Sequence, residues 1–129
     1  MIIIAPLLLL AQTPEIDCEE PMTQMAMNHC AFEDFKKADR ALNAQWTLTS
    51  AAMKERDKGD APLDWDDRPG HFDTLLEAQR AWLKYRDTHC RSEGYIARGG
   101  SLEPLLVSSC KAHLTRLRTA DLEELARTY

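Results

Sequence analysis

The residues able to do chemistry are few and scattered. Ser92, Ser101, Ser108 and Ser109 stand in no Gly-x-Ser-x-Gly turn of the kind that exposes a nucleophile. His29, His71, His89 and His113 have no recurring acidic neighbour that would mark one of them as a triad base. Glu77, Glu93 and Glu103 offer carboxylates, but their spacing aims them at no common cleft for glycoside hydrolysis. No phosphate-cradling loop or dinucleotide fingerprint occurs. Asp64, Asp66 and Asp67 lack the register and downstream Glu of an EF-hand and read as solvated charge. The four cysteines form no C-x-x-C, and His29-Cys30 and His89-Cys90 are sequence neighbours, which diverge on a helix. The expectation is a protein that is not an enzyme and carries no metal and no cofactor.

A different set of residues carries a definite physical demand. In the stretch from Gln79 to Cys90, helical spacing puts Gln79, Trp82, Leu83, Arg86 and Cys90 on one face. Phe72, Leu75 and Leu76 extend its apolar part. Gln79 and Arg86 on that face need partners, because a buried polar group without one costs about 1–3 kcal/mol and a buried charge more. Asp39 and Asn43, four apart, flank the apolar face of an earlier helix. If the two helices run antiparallel, Arg86 reaches Asp39 and Gln79 reaches Asn43. Such pairs fix register more than they add stability.

The elements that position these groups follow from punctuation and periodicity. No Pro or Gly lies between Pro21 and Gly59, so one long helix begins near Pro21 or is capped by Thr23, and runs to about Arg56. Met27, Ala31, Phe35, Ala38, Leu42, Trp46, Thr49 and Met53 form its apolar face. Gly59, Pro62, Pro69 and Gly70 bracket a connecting loop. A second helix runs from near Phe72 to Cys90. Residues 91–101, with three Gly, read as a loop of about a dozen residues. A third helix starts near Leu102 or Pro104 after Ser101, with Leu106, Cys110, Leu114, Leu117, Leu122 and Leu125 as its apolar side. The expected fold is all-α: a small antiparallel three-helix bundle with one long first helix, stapled by two disulfides.

Residues 1–11 are apolar and uncharged, too short to span a bilayer, and read as the core of a secretory signal with cleavage near Ala11. Residues 12–20 form a polar leader, and residues 21–129 a single helical domain. Cys18 follows Glu15-Ile16-Asp17 rather than the small residues of a lipoprotein signal, so no membrane anchor is expected. An exported chain with an even number of cysteines points to disulfides in an oxidising compartment, periplasmic or secreted. The net charge of −5 argues against nucleic acid as a partner and suits a basic protein.

Met27-Asn28-His29-Cys30-Ala31, Ala38-Asp39-x-x-Leu42-Asn43, the run Gln79-Arg80-Ala81-Trp82-Leu83-x-Tyr85-Arg86-Asp87-x-x-Cys90, Gly100-Ser101, and Cys110 followed by Leu114-Thr115-x-x-Arg118 together resemble the LprI-type lysozyme inhibitors, a family of exported bacterial proteins. The resemblance spans roughly Cys18 to Leu125. It implies a protein-binding domain that occludes the active-site cleft of a basic lysozyme or binds another envelope protein. The alternative is a structural or accessory envelope protein without inhibitory activity. As a binding segment, residues 92–101 stand out, with Ser92, Glu93, Tyr95, Arg98 and Ser101 as candidate contacts, and a monomer is expected. Antiparallel packing brings Cys90 and Cys110 to one end of the bundle, and the leader can fold back so that Cys18 meets Cys30. Pairing Cys18 with Cys110 and Cys30 with Cys90 remains the rival.

Overall fold

The computed structural model describes residues 15–61 and 63–127. The leading apolar run and its cleavage point near Ala11 lie outside the described residues. Three helices follow one another: α1 (Gln24–Gly59), α2 (His71–Gly94) and α3 (Glu103–Arg127), with a 3-10 turn, Tyr95–Ala97, behind α2. Successive helices are antiparallel, so α1 and α3 run side by side in the same direction. Asn28 Nδ2 donates to Ser101 O near one end of that pair, and Thr49 Oγ1 donates to Leu122 O towards the other. Among the described residues there is no strand, and no helix is long and apolar enough to cross a membrane.

The termini of α1 obey local chemistry. Thr23 is its N-cap, and the Thr23 hydroxyl accepts from the Ala26 amide at 3.0 Å. With 36 residues α1 is about 54 Å long at the usual rise, the longest element. Arg56 in its last turns donates to Leu125 O at 2.8 Å, tying the far end of α1 to α3. The start of α2 is capped from outside. Gly70 has no side chain to offer, and Asp57 of α1 accepts from the His71 and Phe72 amides at 2.7 and 3.1 Å.

Leu42, Met53, Leu75 and Leu122 make the core, with Trp46, Phe72 and Trp82 packed against it. The buried side of α3 departs from the expected leucine face. Leu117 and Leu125 are exposed, and the buried positions are Ser108, Cys110, Ala112, Thr115 and Leu122. Small residues let α1 and α3 approach closely; the Thr115 hydroxyl accepts from Arg86 of α2, and its carbonyl accepts from Thr119 Oγ1 one turn on. Leu83, expected on the inner face of α2, is exposed as well.

The segment 91–101 is not the long loop its glycines suggest. Helix α2 continues through Gly94, the 3-10 turn takes the next three residues, and only a short turn remains before α3. The reason is steric. A Cβ on Gly94 would lie 2.5 Å from Val107 Cγ2, so this glycine sits inside a helix to let α3 pack against it. Gly99 is the residue that turns the chain, with φ +78°.

Both disulfides sit at this end. Cys18 pairs with Cys30 and Cys90 with Cys110, each with Cα atoms 5.4 Å apart. The first pins the leader onto the N-terminal part of α1, and the second locks the C-terminal part of α2 to α3.

Candidate functional site

Arg86 is the centre of the polar architecture. Its side chain is buried, and it is bonded on several sides. Nη1 donates to Asp39 Oδ1 of α1 and to Thr115 Oγ1 of α3, both at 3.3 Å, and Nε donates to Asp87 Oδ1 at 3.0 Å. The guanidinium carbon lies 5.2 Å from the ring centroids of both Phe35 and Trp82, so aromatic faces from α1 and α2 flank the cation. One side chain thus contacts all three helices. Asp39 is partly exposed and Lys111 comes within 3.8 Å of Asp87, so the cluster opens to solvent along one edge. This arrangement orients helices.

Gln79 does not meet Asn43. Its Oε1 accepts from Arg118 Nε of α3 at 2.9 Å, while Asn43 is exposed and its carbonyl accepts from Thr47 Oγ1. The inner face of α2 at this level points towards α3, which contributes Arg118 where the expected partner was an α1 amide. Sequence reasoning noted Arg118 without recognising its demand. Its place four turns from the helix start, three residues after the buried Thr115, was the available signal.

All five candidates of the expected binding segment are exposed residues at the disulfide end. Ser92 and Glu93 are on the last turn of α2, and Glu93 Oε1 is 3.0 Å from His89 Nε2. Tyr95 is 44% exposed, and the Arg98 guanidinium lies over its ring at 4.3 Å. Beside them Ile96 is 87% exposed, an apolar side chain that sequence reasoning passed over. Ser101 contributes its carbonyl to Asn28 rather than a cap to α3. Met22, Met25, Phe32 and Leu102 are further exposed apolar residues on the leader, the start of α1 and the turn into α3.

His89, Glu93 and Cys110 offer ligand-type atoms within 4.8 Å of one another. The Cys110 sulfur is bonded to Cys90, which removes the thiolate a metal would need.

The opposite end has the stronger electrostatic perturbations. The Phe72 and His71 amides hold the Asp57 carboxyl below its ordinary value. The Arg68 guanidinium and backbone amide lower Asp66 to about 2.

Comparison with known proteins gives a family and a relative. A family profile described as Lysozyme inhibitor LprI matches residues 17–122. An uncharacterized protein of Rhizobium meliloti (strain 1021) is 49% identical over 117 residues, covering 89% of this chain and 82% of that protein. No solved structure matches.

Proposed function

The chain belongs to the LprI lysozyme inhibitor family, and from that premise we propose that it is an exported inhibitor that binds a lysozyme-type enzyme and closes its cleft. Two disulfides fit an extracytoplasmic location. The apolar start, residues 1–11, is the proposed export signal.

The contact surface is the turn around Tyr95 and Arg98. The observation that carries it is the seating of Arg98 over the Tyr95 ring, on a turn anchored on both sides by the Cys90–Cys110 bridge. A lysozyme cleft is lined by two carboxylates that flank the scissile bond. An arginine held over an aromatic ring offers that cleft a cation and a flat apolar face together. The bridge removes most of the ordering that binding would otherwise cost. A body with net charge −5 speeds the encounter with a basic enzyme.

The experiment is a muramidase assay with purified protein against a panel of lysozymes, in parallel with the Tyr95→Ala/Arg98→Ala double variant. Inhibition that the double variant loses supports the reading. Inhibition unaffected by the double variant moves the contact elsewhere. No inhibition of any lysozyme assigns the fold to a structural or accessory envelope role.

A further inference from the structure

At the end of the bundle remote from the disulfides, the last turns of α1, the α1–α2 connection, the first turns of α2 and the last part of α3 line an open cavity of about 790 Å³. Its apolar lining comes from Met53, Leu75, Ala78 and Leu125, and its volume falls in the range of small-molecule sites. The carboxylates around it are already engaged. Asp57 is occupied by the two α2 amides, Asp66 by a two-point contact with Arg68 at 2.7 Å, and Asp60 by His71 at 2.6 Å.

The Arg118 guanidinium, also in the wall, is in the opposite condition. Its Nε donates to the neutral Gln79 amide oxygen, and no carboxylate of the described residues comes within ion-pair distance. Its Nη2 is shut off from solvent and has no hydrogen-bond partner among the described residues. Burial lowers the Arg118 pKa, with Asp121 opposing at longer range. A partly buried cation with one neutral partner is a costly arrangement to keep in a wall. Nη2, out of reach of water, is equally out of reach of a cavity ligand, and an anion entering the cavity would meet the guanidinium at Nη1, its one remaining edge.

We propose that this cavity binds a small amphiphile, a single carboxylate head paired with Arg118 and a short apolar body laid against Met53, Leu75 and Leu125. The site lies away from Tyr95 and Arg98 and does not depend on the inhibitory reading.

Decanoate below its micelle threshold is the probe, with decanol as the same body lacking the charge. Binding is followed by amide chemical-shift changes in the full folded protein. Decanoate is expected to shift the amides of Met53, Leu75, Ala78 and Leu125 and to bind about ten- to a hundredfold more tightly than decanol, the range of one charge-assisted hydrogen bond. Arg118→Met, which keeps the apolar stem, is expected to bring the two affinities together. Ala78→Trp, at an exposed wall position, is expected to block both ligands without touching the cation. Wild-type protein that shows no decanoate shifts at millimolar concentration overturns the proposal. So do equal affinities for decanoate and decanol in the wild type, a preference retained in Arg118→Met, or binding undisturbed by Ala78→Trp. The wild-type comparison and Ala78→Trp decide the matter even if Arg118→Met does not fold.

Discussion

The Asp57 carboxylate occupies the space that a side chain on Gly70 would need: a Cβ built there comes 2.7 Å from Asp57 Oδ1. The same oxygen accepts from the His71 amide, so the cap of α2 is supplied from the last turns of α1 and the glycine is the room it requires. Gly70→Ala is therefore expected to dislodge the cap and to lower the melting temperature by roughly 5 °C, the effect of losing one helix cap in a domain of this size. A melt unchanged within a degree would show that the carboxylate re-seats freely.

The same clasp has a pH signature. Amide hydrogen bonds from Phe72 and His71 depress the folded-state pKa of Asp57, and Arg68 depresses that of Asp66 to about 2. A depressed carboxylate contributes stability that is fully present above its unfolded pKa, about 3.9, and is lost as pH falls through the folded value. Urea midpoints measured from pH 6 down to pH 2 are expected to hold until about pH 4 and then fall. Asp57→Asn is expected to flatten part of that fall. A variant with the same acid dependence as the wild type would remove Asp57 from the account.

Arg86 is expected to be the costliest polar side chain to lose. Arg86→Ala leaves Asp87 and Thr115 short of a donor and opens a gap between Phe35 and Trp82, for a loss of about 2–4 kcal/mol. Asp39→Ala removes a partly exposed partner at 3.3 Å and is expected to cost about 1 kcal/mol. The double variant is expected to lose less than the sum. Additive losses in a denaturant cycle would show that the two residues are not coupled.

Removing the Cys90–Cys110 bridge with paired serines is expected to cost about 3 kcal/mol, from a closed loop with a sequence separation of 20. Hydrogen exchange is expected to rise between residues 91 and 109 while the middle of α1 stays protected. If the turn around Tyr95 carries the contact, lysozyme inhibition falls by more than the stability loss accounts for. Full inhibition from a protein with a demonstrably loosened turn would reject that contact surface.

The start of α1 and the extent of the α1–α2 connection were legible because Thr23 caps its own helix and Gly59, Pro69 and Gly70 interrupt helices locally. Bundle ends and helix direction favoured the observed disulfide pairing but left Cys18–Cys110 with Cys30–Cys90 open, because all four cysteines lie at one end. What the sequence hid was tertiary. Gly94 reads as a helix breaker until Val107 is seen against it. Leu117 and Leu125 read as core by type, while Ser108, Ala112 and Thr115 take the seam because α1 and α3 pack too closely for larger groups there. Gln79 had one polar demand and two possible suppliers, Asn43 and Arg118. Choosing between them requires knowing which helix its face meets. Asp57 and Gly70 are 13 residues apart with no periodic relation, so no pattern joins them.

The two bridges divide the chain in time as well as in space. Cys18 and Cys30 are 12 residues apart, Cys90 and Cys110 are 20 apart, and neither bond reaches across the interval between the pairs. A chain delivered N-terminus first into an oxidising compartment can close the first bond while Cys90 is still on the far side of the membrane. Each new thiol pair then meets no earlier free thiol to compete for it. For a chain exported in that way, consecutive rather than interleaved pairing would leave little for a disulfide isomerase to correct.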